Sequence, residues 1–306
     1  MKKLFHFFID GLGLGENTDS NPVKNCFKNS LGGNLLVKRD VPLFFPGGVL
    51  ISADPLQGVP GTPQSATGQT SLFTGENAQA IIGMHLTAFP NNTLAEIIGR
   101  KSLLKVLNDN GISTTSANLY SQEFFDKRGN RRKNSFPVST LSIKAAEIPF
   151  RFLPDYNEKK ALFADITNTL IRSRGFDIPL ITPEDGADII ANILKSHQAV
   201  FFEYFMTDVF GHKRDIKELE IQTSEISRFM ERLLLLTEEM DDFLILVCSD
   251  HGNAEDNLLG DHTLNNVPVI LFTKNIALQE KGAKQISRLT DVYDFVLEYF
   301  SCPKPE

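Results

Sequence analysis

Three apolar runs in this 306-residue chain end in aspartate: Ile9-Asp10, Phe205-Met206-Thr207-Asp208 and Val247-Cys248-Ser249-Asp250. One such aspartate is ordinary, because Asp readily caps turns and helices. Three imply a shared acidic focus, since ligands of open α/β sheets bind beyond the carboxyl ends of strands. Clustered carboxylates repel one another and lose hydration, and a divalent cation relieves both costs. Histidines adjoin the same points. Asp208 and His212 stand four apart, so one helical turn or a tight loop aims both at one ion. His251 follows Asp250 directly, and His262 comes eleven residues later; the chain has six histidines in all. Singly, His212 and His262 read as loop residues and His251 as a satisfied core histidine. As a set with three aspartates and no cysteine they read as metal ligands of a kind that suits zinc or manganese.

A hydroxyl nucleophile is sought in Pro63-Gln64-Ser65-Ala66-Thr67-Gly68-Gln69-Thr70-Ser71-Leu72-Phe73-Thr74-Gly75. Ser65 follows a Gly/Pro loop and opens an apolar helix pattern. The free amides and dipole of a helix N-terminus favour an alkoxide or a bound phosphate there. Thr67, Thr70 and Ser71 are rival hydroxyls that local sequence leaves open. Gly11-Leu12-Gly13-Leu14-Gly15 imitates a dinucleotide fingerprint, but Glu16 stands where the third spaced glycine belongs and Asp10 would repel a pyrophosphate. No GxSxG elbow is present, which argues against an α/β-hydrolase.

The elements that must carry these residues alternate between strand-length apolar runs and helical patterns. Such alternation predicts an α/β sheet with helices on both faces. Strands are expected at Leu4–Ile9, Ile112–Ala117, Ala199–Met206, Phe243–Ser249 and Val267–Thr273, and Pro42–Ser52 is turn-rich with Phe44, Phe45, Val49, Leu50 and Ile51 as core material. Helices are expected from Ser65, over Thr93–Asn110 with Gly111 as its stop, from Thr182 to about Ser196, over about Ile216–Met240, and from a Thr290 cap to about Phe300. Residues 119–182 are the least regular and contain the basic run Lys127, Arg128, Arg131, Arg132, Lys133. They are read as a small insert or cap, with 1–118 and 183–306 as the core. The basic run is either a solvated loop or a clamp for a substrate's phosphate or carboxylate.

Composition narrows the function classes. Net charge is -7, which disfavours a broad nucleic-acid or anionic-membrane footprint. Cys26, Cys248 and Cys302 are scattered, with no CxxC pair, so neither a disulfide framework nor a thiolate zinc site is expected. No apolar stretch approaches 18 residues. The apolar start carries His6 and meets Asp10 without a cleavage site, so it reads as a first strand rather than a signal peptide, and a cytoplasmic protein is the expectation.

Four segments together, about 4–15, 60–93, 203–215 and 247–269, resemble the alkaline phosphatase superfamily, most of all its branch of cofactor-independent phosphoglycerate mutases and phosphopentomutases. Ser249-Asp250-His251-Gly252-Asn253-Ala254-Glu255 with His262-Thr263-Leu264-Asn265-Asn266-Val267-Pro268 is similar to the mutases' second metal segment. Thr207-Asp208-Val209-Phe210-Gly211-His212 with Asp215 resembles the superfamily's Asp-x-x-Gly-His element, and Asp10-Gly11 fits its first metal aspartate. Ser65 precedes Thr74-Gly75 by nine residues, the register of the family's nucleophile, which favours Ser65 over Thr70.

The resemblance implies an alkaline-phosphatase-like central sheet and two divalent metals, manganese or zinc. One would be held by Asp10, Ser65, Asp250 and His251, the other by Asp208, His212 and His262. Four positive charges would then meet three aspartates and a Ser65 alkoxide. The implied activity is phosphoryl transfer on a small phosphorylated metabolite through a phosphoserine, ending in a mutase or a phosphatase reaction. Ala66 and Gln69 stand where the mutases have an acidic residue and a histidine, and the stretch from Gly75 to Asp208 is shorter than the mutases' inserted domain. His85, Asn253, Arg131 and Arg132 are the candidate substrate-binding residues. A non-catalytic metal-binding or regulatory member of the fold and a phosphodiesterase are the alternatives. A sulfatase is disfavoured, since Ser65-Ala66-Thr67-Gly68-Gln69 lacks that branch's Pro and Arg.

Overall fold

The computed structural model describes residues 1–129, 136–240 and 242–305. The first half of the chain gives β1 (Lys3–Ile9), β2 (Leu43–Phe45), β3 (Gly48–Ala53), α1 (Ser65–Thr74), α2 (Ala78–Ile82), α3 (Asn92–Lys101), α4 (Leu103–Asp109), β4 (Thr114–Ser116) and α5 (Gln122–Gly129). The second half gives α6 (Val138–Ala145), α7 (Leu153–Asn157), α8 (Thr169–Ser173), α9 (Pro183–Ser196), β5 (Ala199–Tyr204), α10 (Met206–Lys213), α11 (Ile216–Thr237), β6 (Phe243–Cys248), β7 (Val267–Phe272), α12 (Ile276–Gln285) and α13 (Leu289–Phe300).

The seven strands form one sheet in the order β2-β3-β7-β6-β1-β5-β4. β4, β5, β1 and β6 run parallel, whereas β7 and β3 join antiparallel. The expected α/β sheet is therefore present, as a mixed rather than a wholly parallel one. Strand β1 lies inside the sheet, between β6 and β5, and is buried almost throughout. Successive side chains of a strand point to opposite faces, and β1 accordingly feeds two cores. Phe5, Phe7 and Ile9 pack with α9 and α11, where Phe229 sits 5.4 Å from Phe7. Leu4 and Phe8 pack with α1, α4, α6 and α13. Each fully buried Phe contributes about 1.5–3 kcal/mol of transfer free energy. His6 shares the second face, stacked 4.8 Å from Phe201, and burial pushes its imidazole down to about 3, so it is neutral.

Helix α9 starts as its sequence signal requires: Thr182 Oγ1 accepts the Asp185 N–H and the Asp185 carboxylate accepts the Thr182 N–H, with Pro183 at the first position. Several boundaries differ from expectation. The Thr93–Asn110 pattern splits into α3 and α4, because buried Ser102 takes an extended conformation (φ -60°, ψ 144°) and starts a second axis. The Ala199–Met206 strand stops at Tyr204, and Met206 opens α10. Helix α13 is flanked by Arg288, and Thr290 lies inside its first turn. Phe44 is 50% exposed instead of core, since β2 is the sheet's edge and buries only Phe45 fully. Residues 119–182 carry α5 to α8, and their Leu119, Leu162, Ile166 and Ile178 join the core beneath α9 and α11. Among the described residues no helix is long and apolar enough to cross a membrane.

Candidate metal centre

The parallel register brings three strand ends together. Ile9 pairs with Tyr204 and Phe8 with Cys248, so the next residues of β1, β5 and β6 leave the sheet at one edge. Asp10 follows β1 directly, Asp208 and His212 come one helical turn apart on α10, and Asp250 and His251 follow β6. Helix α1 points its N-terminus at the same edge and delivers Ser65. Gly68 permits that approach: a Cβ there would stand 2.8 Å from the Asp250 carbonyl oxygen.

All seven residues implied by the sequence converge. His251 Nε2 lies 3.0 Å from Ser65 Oγ, 3.2 Å from Asp10 Oδ1 and 3.5 Å from Asp250 Oδ2. His212 Nε2 lies 3.1 Å from His262 Nε2, and these atoms are 3.4 and 3.5 Å from Asp208 Oδ1. The His251 and His262 rings stack at 3.7 Å between centroids, which joins the two groups. Asp208 stands between them. Its ligand atom lies within 4.8 Å of those of His212 and His262, and equally within 4.8 Å of those of Asp10 and His251.

The four hydroxyls of the α1 segment separate clearly. Thr70 donates to the Ala66 carbonyl at 2.6 Å, Ser71 to Gln79 Oε1 at 2.9 Å and Thr67 to the Gln64 carbonyl at 3.1 Å. Ser65 alone of the four reaches the histidine and carboxylate cluster. Gln69, one turn along α1, donates to Asp10 Oδ2 at 3.2 Å.

The donor set fits divalent cations. His262 Nδ1 lies 2.8 Å from the Pro63 carbonyl, which anchors the ring with Nε2 turned to Asp208 and His212. Asp10 Oδ1 and Asp250 Oδ2 are buried, and the neighbour that faces both is His251 Nε2, at 3.2 and 3.5 Å; two buried carboxylates sharing one imidazole are costly unless a further cation joins them. Burial, helped by the charges of Asp250 and Asp208, pushes Asp10 up to about 7. Burial raises Asp250 as well. His251 is pulled to about 10: burial opposes its charge, but Asp250 and Asp10 overcome it. Asp208 falls to about 2 despite burial, through its hydrogen bond with His262 and the charge of His251. The cluster thus attracts positive charge strongly.

One organiser was not singled out in the sequence. Glu255, buried, accepts N–H groups from Gly13 (3.0 Å) and Asn253 (2.8 Å) on one oxygen, and the Thr263 hydroxyl and the Asn265 amide on the other. It ties the loop after β1 to the loop carrying Asp250, His251 and His262. A Cβ on Gly13 would fall 2.1 Å from its Oε1, so the glycines after Asp10 make room for this carboxylate rather than for a nucleotide. Asn253 in turn donates to Asp208 Oδ1 at 2.8 Å, which places it beside the cluster.

A cavity of about 390 Å³ opens on Ser65, Asp10 and Asp208. Arg128, Arg174 and Glu203 line it; Arg128 belongs to the basic run read from sequence as a solvated loop or a clamp, whereas Arg174 and Glu203 carried no such signal. His85 is not among its described lining; its Nε2 lies 3.0 Å from the Val59 carbonyl. Arg131 and Arg132 lie outside the described residues. A larger cavity, about 460 Å³ between α11 and β7, touches none of these residues.

Known proteins resemble this chain in sequence and in fold. Residues 158–304 match the sequence model of the Metalloenzyme superfamily. The 2,3-bisphosphoglycerate-independent phosphoglycerate mutase of Ehrlichia canis (strain Jake) is 27% identical over 161 residues, which are 48% of this chain and 31% of that protein. The phosphopentomutase of Proteus mirabilis (strain HI4320) is 23% identical over 288 residues, 91% of this chain and 68% of that protein. In structure, the alkaline phosphatase from the Antarctic bacterium TAB5 superposes with a TM-score of 0.58 at 13% identity, over 98% of both chains. The PH0037 protein from Pyrococcus horikoshii superposes with a TM-score of 0.58 at 12% identity, over 100% of this chain and 98% of that one. The chain therefore has an alkaline-phosphatase-like fold, and the superfamily resemblance read from its motifs is matched by the family model over residues 158–304. Within the superfamily its sequence is similar to phosphoglycerate mutases and phosphopentomutases, of which the match with the Ehrlichia canis mutase spans less than a third.

Proposed function

We propose that this protein is a metal-dependent phosphotransferase in which Ser65 takes a phosphoryl group from a small phosphate monoester. The observation that carries the reading is the approach of the Ser65 hydroxyl, at the N-terminus of α1, to within 3.0 Å of His251 beside Asp10. Asp10, Asp250 and His251 with Ser65 would hold one divalent ion, and Asp208, His212 and His262 the other. When bound, such ions lower the hydroxyl's pKa and neutralise the charge on the transferring group. Ser65 Oγ forms the new bond to phosphorus as the ester P–O bond breaks, and the serine proton ends on the departing oxygen. The α1 amides add positive potential at that point. Gln69 and Asn253 keep Asp10 and Asp208 oriented through their amide donors. Transfer of the phosphoryl group to water or to a second hydroxyl then restores Ser65, which makes the reaction a hydrolysis or a mutase isomerisation.

The test is Ser65→Ala assayed with manganese and with zinc on a panel of phosphate monoesters, with mass spectrometry for phosphoserine. The expected result is unchanged metal content, loss of turnover and no labelled serine. Undiminished turnover in Ser65→Ala, or no turnover of any monoester by the unaltered protein, would overturn the proposal.

A further inference from the structure

The cavity beside Ser65 has walls that a small polyol phosphate does not call for. Its volume, about 390 Å³, lies within the range that buries a drug-sized ligand. Tyr120, Phe124, Phe163 and Phe205 face it, and Arg128 and Arg174 line it alongside them. We propose that the part of the substrate retained after phosphoryl transfer carries an aromatic ring and a second anionic group, the chemistry of a nucleotide, rather than a three-carbon acid or a bare sugar. This rests on the reading of Ser65 as nucleophile.

The wall is built, not incidental. On α5, Phe125 is held in an aromatic cluster, 5.6 Å from Tyr120, 4.8 Å from Phe150 and 6.0 Å from Phe136. That anchorage turns the neighbouring stripe of α5 to the cavity. Phe124 and Arg128 occupy it at i and i+4, the spacing at which helical side chains meet. The Arg128 guanidinium lies 4.8 Å from the Phe124 ring and 4.7 Å from Phe89, so it is oriented by two aromatic faces. Arg174 lies 6.0 Å from the Phe163 ring.

The cavity lining carries both signs of charge. Asp10, Asp208 and Glu203 belong to it, and the first two are part of the metal centre that would take the transferred phosphate. Arg128 and Arg174 add two guanidiniums to the same lining. Guanidinium groups suit phosphate and carboxylate oxygens through paired N–H donors. The four aromatic side chains give the lining a surface against which a planar base packs, beside the polar Asn118, Ser121 and Thr140.

Four phosphate monoesters separate the two features: adenosine 3′,5′-bisphosphate has ring and second anion, adenosine 5′-monophosphate the ring alone, 3-phosphoglycerate the anion alone, and ribose 5-phosphate neither. The expected kcat/KM is about tenfold or more higher for the bisphosphate than for each of the others. Phe124→Ala should raise KM about tenfold for the two ring-bearing esters and leave ribose 5-phosphate, which has neither feature, unchanged. Arg174→Ala should do so for the two with a second anion. Equal or better turnover of 3-phosphoglycerate or ribose 5-phosphate, or variants that slow all four alike, would overturn the inference. Calorimetric binding of the bisphosphate and of ribose 5-phosphate to metal-loaded Ser65→Ala keeps it separable from the nucleophile assignment. Tighter binding of the bisphosphate there supports the inference even without turnover, and equal or weaker binding refutes it.

Discussion

Glu255→Ala should be among the most damaging single substitutions outside the metal-facing residues. The carboxylate is 2% exposed and collects four donors: the Gly13 and Asn253 backbone N–H groups, the Thr263 hydroxyl and the Asn265 amide. Truncation strands the two backbone N–H groups, which cannot rotate away, and each buried orphan costs about 1–3 kcal/mol. The side-chain donors lose a charged acceptor, and the space left between two loops adds a cavity cost. The sum is roughly 4 kcal/mol or more, a large share of the total stability of about 5–15 kcal/mol typical of folded proteins. Glu255→Gln should cost far less, about 1–2 kcal/mol. Its amide oxygen still serves Gly13 and Asn253, while the Thr263 hydroxyl can turn to accept from the new amide. The assay is urea denaturation of the three proteins without added metal, followed by manganese titration. The expected order of stability is wild type, then Glu255→Gln, then Glu255→Ala, with manganese affinity falling in the same order, because Glu255 joins the loops that carry Asp10 and His251. A Glu255→Ala protein as stable as wild type would show that the two loops do not depend on this carboxylate.

Two further substitutions probe other parts of the account. Gly68→Ala should destabilise the protein by about 1–3 kcal/mol, although alanine is the better helix former, because its Cβ would meet the Asp250 carbonyl oxygen at 2.8 Å; a gain in thermal stability would contradict this packing. Glu203 is pushed up from 4.5 to about 7 by burial, with the Ser139 hydroxyl opposing and the Asp10 charge assisting. Its folded pKa exceeds the unfolded one, so the stability it contributes is fully present below about 4.5 and is lost as pH rises through about 7, by roughly 3 kcal/mol at most. Glu203→Gln should therefore gain on wild type in thermal melts between about pH 5 and about pH 8, and a pH-independent difference would refute the assignment.

Much of the centre was legible because its chemistry demands particular residue types at strand ends. Asp10, Asp208 and Asp250 each follow an apolar run, and a parallel register is sufficient to bring such ends together. Ser65 could not be chosen over Thr70 from local sequence. The reason appears only in three dimensions, where Thr70 is committed to the Ala66 carbonyl. The roles of Glu255, Gln69, Arg174 and Glu203 were not legible because their partners are distant in sequence or belong to a cavity wall. Gln69 meets Asp10, for example, only through the packing of α1 on β1. Among elements, the long amphipathic helix α11 was readable from its apolar stripe. Helix α12 was not, since only Gln279 and Gly282 among its residues are buried and no apolar stripe marks it. The α3–α4 break was hidden because the apolar spacing continues across Ser102 while the backbone turns there.

The most direct test of the central claim is anomalous X-ray diffraction from crystals of the protein grown with manganese. The account predicts two adjacent anomalous peaks, one bounded by Asp208, His212 and His262 and the other by Asp10, Asp250 and His251 with Ser65 alongside. A map with manganese bound elsewhere, or with none among these residues at saturating metal, would contradict it.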